Sequence, residues 1–103
     1  MTLHFEIAPL AQDDILDHAF YLSDQNAEVS VRFFTNVYLS IQRLSEMPEL
    51  GSLYGFTGAS NVRIWPVKGF HNHLIFYRIQ SDRIQILRVL HGSTDHETLF
   101  KSL

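Results

Sequence analysis

The chain has 103 residues, 46% of them apolar and only 18% Asp, Glu, Lys or Arg, the composition of one folded domain over 1–103 whose core needs neither disulfide nor structural metal. It has no cysteine, which excludes thiolate metal sites and thiol nucleophiles, and no apolar run near the roughly 18 residues of a membrane span; lacking also a signal-peptide start, it is expected in the cytoplasm, away from membranes. The net charge of −3 argues against unaided gripping of nucleic-acid phosphates and against direct sequence-specific DNA binding, although eight acids and two bases in residues 1–50 against three and six in 51–103 leave room for a locally positive face.

Near the N-terminus Leu3, Phe5 and Ile7 alternate with His4 and Glu6, the period-two pattern of a short strand, and Pro9 stops it. From Leu10 the spacing changes. Ile15, Ala19 and Leu22 share a helical stripe with Leu16 and Phe20 beside it, and Asp13, Asp14 and Asp17 read as a solvated face near the helix start. Residues 23–26 form a polar break, after which Phe34, Val37, Ile41 and Leu44 mark a second stripe, widened by Val31, Phe33 and Tyr38, in a helix over 27–47 that Pro48 ends. Two amphipathic helices with so short a link predict an antiparallel hairpin laid across a sheet.

Residues 48–60 hold three glycines, a proline and two serines and read as a loop without a phosphate-binding glycine motif. Three strand candidates follow, 62–67, 73–79 and 83–90, with hairpin turns over 68–72 and 80–82, which predicts an antiparallel meander. The last strand is apolar on both faces and therefore central. Ser93 or Thr94 with Asp95 is placed to cap a short terminal helix reaching Leu103. The order is strand, helix, helix, three strands, short helix, without internal repeats.

Six histidines invite a metal hypothesis, but only His71 and His73 have suggestive spacing and no third ligand stands near them, so no metal or cofactor is expected. His4 and His18 are assigned to solvent or a helix edge. His91, ending the last strand before Gly92, suits either an acid–base role or backbone packing. Arg63, Arg78 and Arg88 fall on three successive strands. A common face would give a positive strip for a phosphate backbone or an acidic segment; the alternative is structural ion pairing with helix carboxylates. No nucleophile-elbow motif surrounds any serine.

The run VRIWPVKGFHNHLIFYRIQSDRIQILRVLHGSTD resembles the C-terminal half of ParE-type toxins of the ParE/RelE superfamily: a strand with a leading arginine, a strand ending in Tyr-Arg, then IxILRVLHGxxD. The upstream part agrees, with a short first strand, a proline, a helix with paired acids, and a second helix ending before Pro-Glu-Leu-Gly. The resemblance implies an α+β fold of order β-α-α-β-β-β(-α), a helix hairpin packed on a mostly antiparallel four-stranded sheet. It further implies the toxin of a type II toxin–antitoxin pair, associated with a ParD-like antitoxin in an oligomeric complex, with Arg63, Tyr77, Arg78, Arg88, His91 and Asp95 meeting antitoxin or target. The ParE branch is described as poisoning DNA gyrase by protein contact, and the RelE branch as cleaving messenger RNA. A ribonuclease here would rely on Arg63, Arg88 and His91, with Lys68 and Arg78 as further phosphate-holding groups. The RelE pattern places an additional arginine after the last strand and an aromatic hydroxyl in the tail, where this chain has Ser93, Thr94, Leu99 and Phe100, so the gyrase-directed reading is preferred and no catalytic residue is expected.

Overall fold

The computed structural model describes residues 2–54 and 61–93. Strand β1 (His4–Ile7) leads into helix α1 (Pro9–Ser23) and helix α2 (Ala27–Glu46); a 3-10 turn at Pro48–Leu50 precedes strands β2 (Ser52–Leu53), β3 (Val62–Val67), β4 (Phe70–Ile79) and β5 (Arg83–His91). Ala8 is extended, as a residue before proline must be, and Pro9 then occupies the first helical position where its missing N–H costs nothing. Asn26 starts α2: its side chain accepts hydrogen bonds from the amides of Glu28 (2.8 Å) and Val29 (3.3 Å). The hairpin is pinned where the Ser30 hydroxyl donates to Ala19 O at 2.6 Å.

The strands form one sheet in the order β1-β5-β4-β3-β2. The three long strands make the expected antiparallel meander, while β1 runs parallel to β5, the helix hairpin supplying the crossover. The sheet has five strands rather than four. Ser52 and Leu53, inside the segment read as a loop, pair with Ile64 and Arg63; two residues are too few to show a period. β4 also begins three residues early, because Val67 pairs with Phe70 across a tight Lys68-Gly69 turn, with Gly69 at φ 75°. The expected terminal helix and Asp95 lie outside the described residues.

The helices cover one face of the sheet. Ala11, Ile15 and Ala19 of α1 and Phe33, Val37, Ile41 and Leu44 of α2 bury against Val67, Ile75, Tyr77, Ile84, Ile86 and Val89. Val62, Phe76, Leu87 and Leu90 form a second buried cluster on the opposite face, joined by Tyr54, Ile64 and Leu74. A register shift between Phe76 and Tyr77 leaves Leu87 as an extra residue in β5. One extra residue swaps the two faces of a strand, which is why Ile86 and Val89 both meet the helices although three apart. Of the stripe assigned to α2 from its sequence, Val37, Ile41 and Leu44 are buried with Phe33, Phe34 is half-buried, and Val31 and Tyr38 at the margin are exposed.

Candidate functional site

β1 ends at Ile7, so beyond Ile86 the edge of β5 has no neighbouring strand, and α1 runs past it. Two side chains one helical turn apart take the place of that strand. Asp14 accepts the Val89 amide at 3.0 Å, and Nε2 of His18 lies 3.0 Å from the Val89 carbonyl oxygen. A carbonyl only accepts, so Nε2 of His18 carries the proton. The same Asp14 carboxylate receives Arg88 in a two-pronged pair, Nε to Oδ2 at 2.7 Å and Nη2 to Oδ1 at 2.8 Å, both side chains being 11% exposed. This hydrogen bonding raises the Arg88 pKa above its ordinary value, against the opposing effect of burial. Asp14, read from sequence as part of a solvated face, and His18, assigned to solvent or a helix edge, are therefore parts of the helix–sheet junction.

His18 opens a row of rings. His73 meets it edge-to-face at 4.8 Å and meets His91 at 5.2 Å, with Phe33 at 5.0 Å from His73. His73 is pushed down to about 4, first by burial and then by the neighbouring His18 and His91, so it is neutral at pH 7. His91 Nδ1 accepts from the Ser93 amide at 3.2 Å, which requires that nitrogen to be unprotonated, and the Ser93 hydroxyl lies 2.7 Å from it. His71 is exposed, and among the described residues no group of three or more metal-ligating side chains occurs.

Tyr77 and Arg63 form a separate node on β4 and β3, away from the β5 edge. Tyr77 is fully buried; its hydroxyl donates to Pro48 O at 2.6 Å and accepts the Gly51 amide at 2.9 Å. Burial raises its pKa. Arg63 Nη1 donates to Gly51 O at 2.7 Å. Gly51 is required here by close approach, since a Cβ would stand 2.6 Å from the Tyr77 hydroxyl and 2.7 Å from Ile64 O. Lys68 sits on the β3–β4 turn, which α2 holds through the Ser40 hydroxyl and the Asn36 side-chain amide bonded to its backbone.

The three arginines do not form a strip on one face. Arg63 pairs with Tyr77, whose side chain faces the helices, whereas Arg78 pairs with Val62 on the opposite face. Arg88 pairs with Phe76, also on that opposite face, but its guanidinium reaches round the β5 edge to Asp14. The structure brings His91 to His73, leaves Arg78 half-buried away from the helices, and commits Arg63, Arg88 and Tyr77 to structural bonds. Asp14, His18 and Gly51 were missed by sequence reasoning. The spacing of Asp14 and His18, four apart on one flank of α1, is the only local sign of their joint role.

No helix among the described residues is long and apolar enough to cross a membrane. The family described as the ParE toxin of the type II toxin–antitoxin system parDE matches residues 5–96. A solved chain of the chromosomal ParDE toxin–antitoxin system from P. aeruginosa superposes with a TM-score of 0.73 at 14% identity, covering 87% of this chain and 96% of that one, a likeness of fold. Among curated proteins, none matches.

Proposed function

The chain belongs to the ParE toxin family of type II toxin–antitoxin systems, and from that premise we propose that it acts by protein contact on DNA gyrase and is held inactive by a ParD-like antitoxin in an oligomeric complex. The observation that carries a contact mechanism is the Asp14–Arg88 pair. A phosphodiester-cleaving site needs a cation free to offset charge on the phosphate, within reach of an acid and a base. Arg88 spends its charge on a carboxylate at 2.7 Å, and Arg63 on β3, bonded to Gly51 O, is separated from His91 by β4 and pairs with Tyr77 rather than with His73, the partner of His91. Arg78 remains the cation best placed to meet another protein, on the face turned from the helices. The cytoplasm, where gyrase resides, is the proposed location.

Purified, antitoxin-free protein is expected to inhibit gyrase supercoiling of relaxed plasmid in a dose-dependent manner. Folded protein without effect on supercoiling, with new transcript 5′ ends appearing within minutes of induced expression, would replace this reading by messenger RNA cleavage.

A further inference from the structure

The outer side of the helix hairpin carries more apolar surface than a solvent face needs. On α1, with Ala11, Ile15 and Ala19 turned inward, Leu16 and Phe20 lie on the flank toward α2 and Asp13 and Asp17 one step further out. On α2, with Phe33, Val37, Ile41 and Leu44 inward, Phe34, Tyr38 and Val31 lie on the flank toward α1, and Glu28 and Arg32 beyond them. The Ser30–Ala19 bond sets the Phe20 and Val31 turns level. Phe20 is 73% and Val31 67% exposed. Between the helices Gln12, Ile15, Leu16, Phe34 and Tyr38 line a cavity of about 110 Å³, floored by the stacked Phe34 and Tyr38 rings with centroids 6.1 Å apart. A second hollow of about 350 Å³ opens beside Ala27 and Val31. From Ala27 to Tyr38 the strip runs about 17 Å, three helical turns.

The rim of this strip is acidic. Among the described residues, Asp13, Asp17, Asp24 and Glu28 are exposed around it and Arg32 is the one cation beside them. Arg88, for which the sequence left open either a strip facing an acidic segment or an ion pair with a helix carboxylate, is neutralised by Asp14 on the other flank of α1. We infer that the strip is a docking site for an amphipathic helix bearing apolar anchors at i, i+3 or i+4, and i+7 and Lys or Arg on its flanks, so that the covering partner is basic where it meets the hairpin. The inference rests on the reading that a ParD-like antitoxin holds this chain inactive, and adds the charge of the segment that would meet this face. Covering the strip brings partner side chains against four carboxylates, where like charge repels and opposite charge selects the partner. A second copy of this chain is a poor occupant because two-fold packing sets the acidic rims against each other. Nucleic acid and anionic lipid are repelled for the same reason.

The test uses the full chain and two labelled peptides of about four turns, sharing one leucine stripe and differing only in Lys or Glu on the flanks, with binding read by fluorescence anisotropy. The Lys-flanked peptide is expected to bind at least tenfold more tightly at about 50 mM salt, the ratio shrinking toward one at about 500 mM as the charges are screened. Asp13→Lys combined with Asp17→Lys and Glu28→Lys reverses the preference, and Phe20→Ser with Val31→Ser, which keeps every charge, abolishes binding of both peptides. All five positions are exposed, and circular dichroism verifies that each variant is folded. Equal or tighter binding of the Glu-flanked peptide overturns the inference. So does undiminished Lys-flanked binding by the serine variant, which would mean charge attraction without an apolar seat, or self-association through this face that excludes both peptides. A chain that prefers the Lys-flanked peptide yet leaves gyrase untouched loses its target and keeps this surface. An antitoxin that neutralises the toxin while laying an acidic helix here does the reverse.

Discussion

Replacing Asp14 by alanine removes three hydrogen bonds at once: two from Arg88 and one from the Val89 amide. What remains is a guanidinium 11% exposed with no counter-charge, and a strand-edge N–H without an acceptor. Breaking a buried pair by deleting one partner costs about 3–5 kcal/mol, and Arg88 sits close enough to the edge to recover part of that by turning outward, so we expect about 3–4 kcal/mol for Asp14→Ala. Arg88→Met costs less, about 2 kcal/mol, since Asp14 keeps the Val89 amide. The double variant Asp14→Ala/Arg88→Met leaves no stranded charge and is expected to cost about 2–3 kcal/mol, well below the sum of the singles, so the two are strongly non-additive. Urea unfolding followed by the fluorescence of Trp65, the single tryptophan, reads these values; with a slope of about 1–3 kcal/mol per molar, Asp14→Ala moves the midpoint down by about 1–4 M. A loss below about 1 kcal/mol for Asp14→Ala, or a double variant costing the sum of the singles, refutes the reasoning that this pair closes the helix–sheet junction as a unit.

His73 is held at about 4 when folded and returns toward the ordinary 6.5 when unfolded, so only the unfolded chain takes up its proton between those values. Its contribution is therefore complete above pH 6.5 and is lost as pH falls toward 4; discounted for partial exposure it is about 1–2 kcal/mol, and His73→Phe, which keeps the ring contacts, should flatten that part of the stability–pH curve. Gly51→Ala forces its new Cβ into the Tyr77 hydroxyl and Ile64 O and should cost about 1–3 kcal/mol, while Tyr77→Phe strands the Gly51 amide and Pro48 carbonyl at a similar cost; both appear as thermal midpoints lowered by roughly 4–8 °C per kcal/mol. Phe33→Ala, which empties the fully buried site between α1, α2 and β4, is expected to lose about 3–5 kcal/mol in the same urea assay. Arg78→Ala, by contrast, should leave the melting curve nearly unchanged and weaken inhibition of gyrase supercoiling, and an unchanged inhibition curve removes Arg78 from the target surface.

What the amino-acid order determined by itself is the kind and sequence of the elements, because those depend on near neighbours. Helix stripes at Ile15–Ala19–Leu22 and Phe34–Val37–Ile41–Leu44, prolines at 9 and 48, and β-branched runs from Val62 onward each act within a turn or a strand, although the fold seats Phe33 rather than Phe34 at the centre of the second stripe. The family resemblance was legible for the same reason, being written in one contiguous run. Only the tertiary structure decided which polar residues matter. Asp13, Asp14 and Asp17 are interchangeable in a list of residues, and what separates Asp14 is that β1 stops at Ile7 and leaves the Val89 amide open where α1 passes. The extra residue at Leu87 turned Arg88 away from the helix face and His91 toward it, and the register of β3 on β4 sent Arg63 and Arg78 to opposite faces. Strand register, edge exposure and helix approach are set by contacts between segments tens of residues apart. Local spacing carries no information about them, which is why a strip of three arginines could be imagined from sequence while the folded chain presents an acidic, apolar hairpin instead.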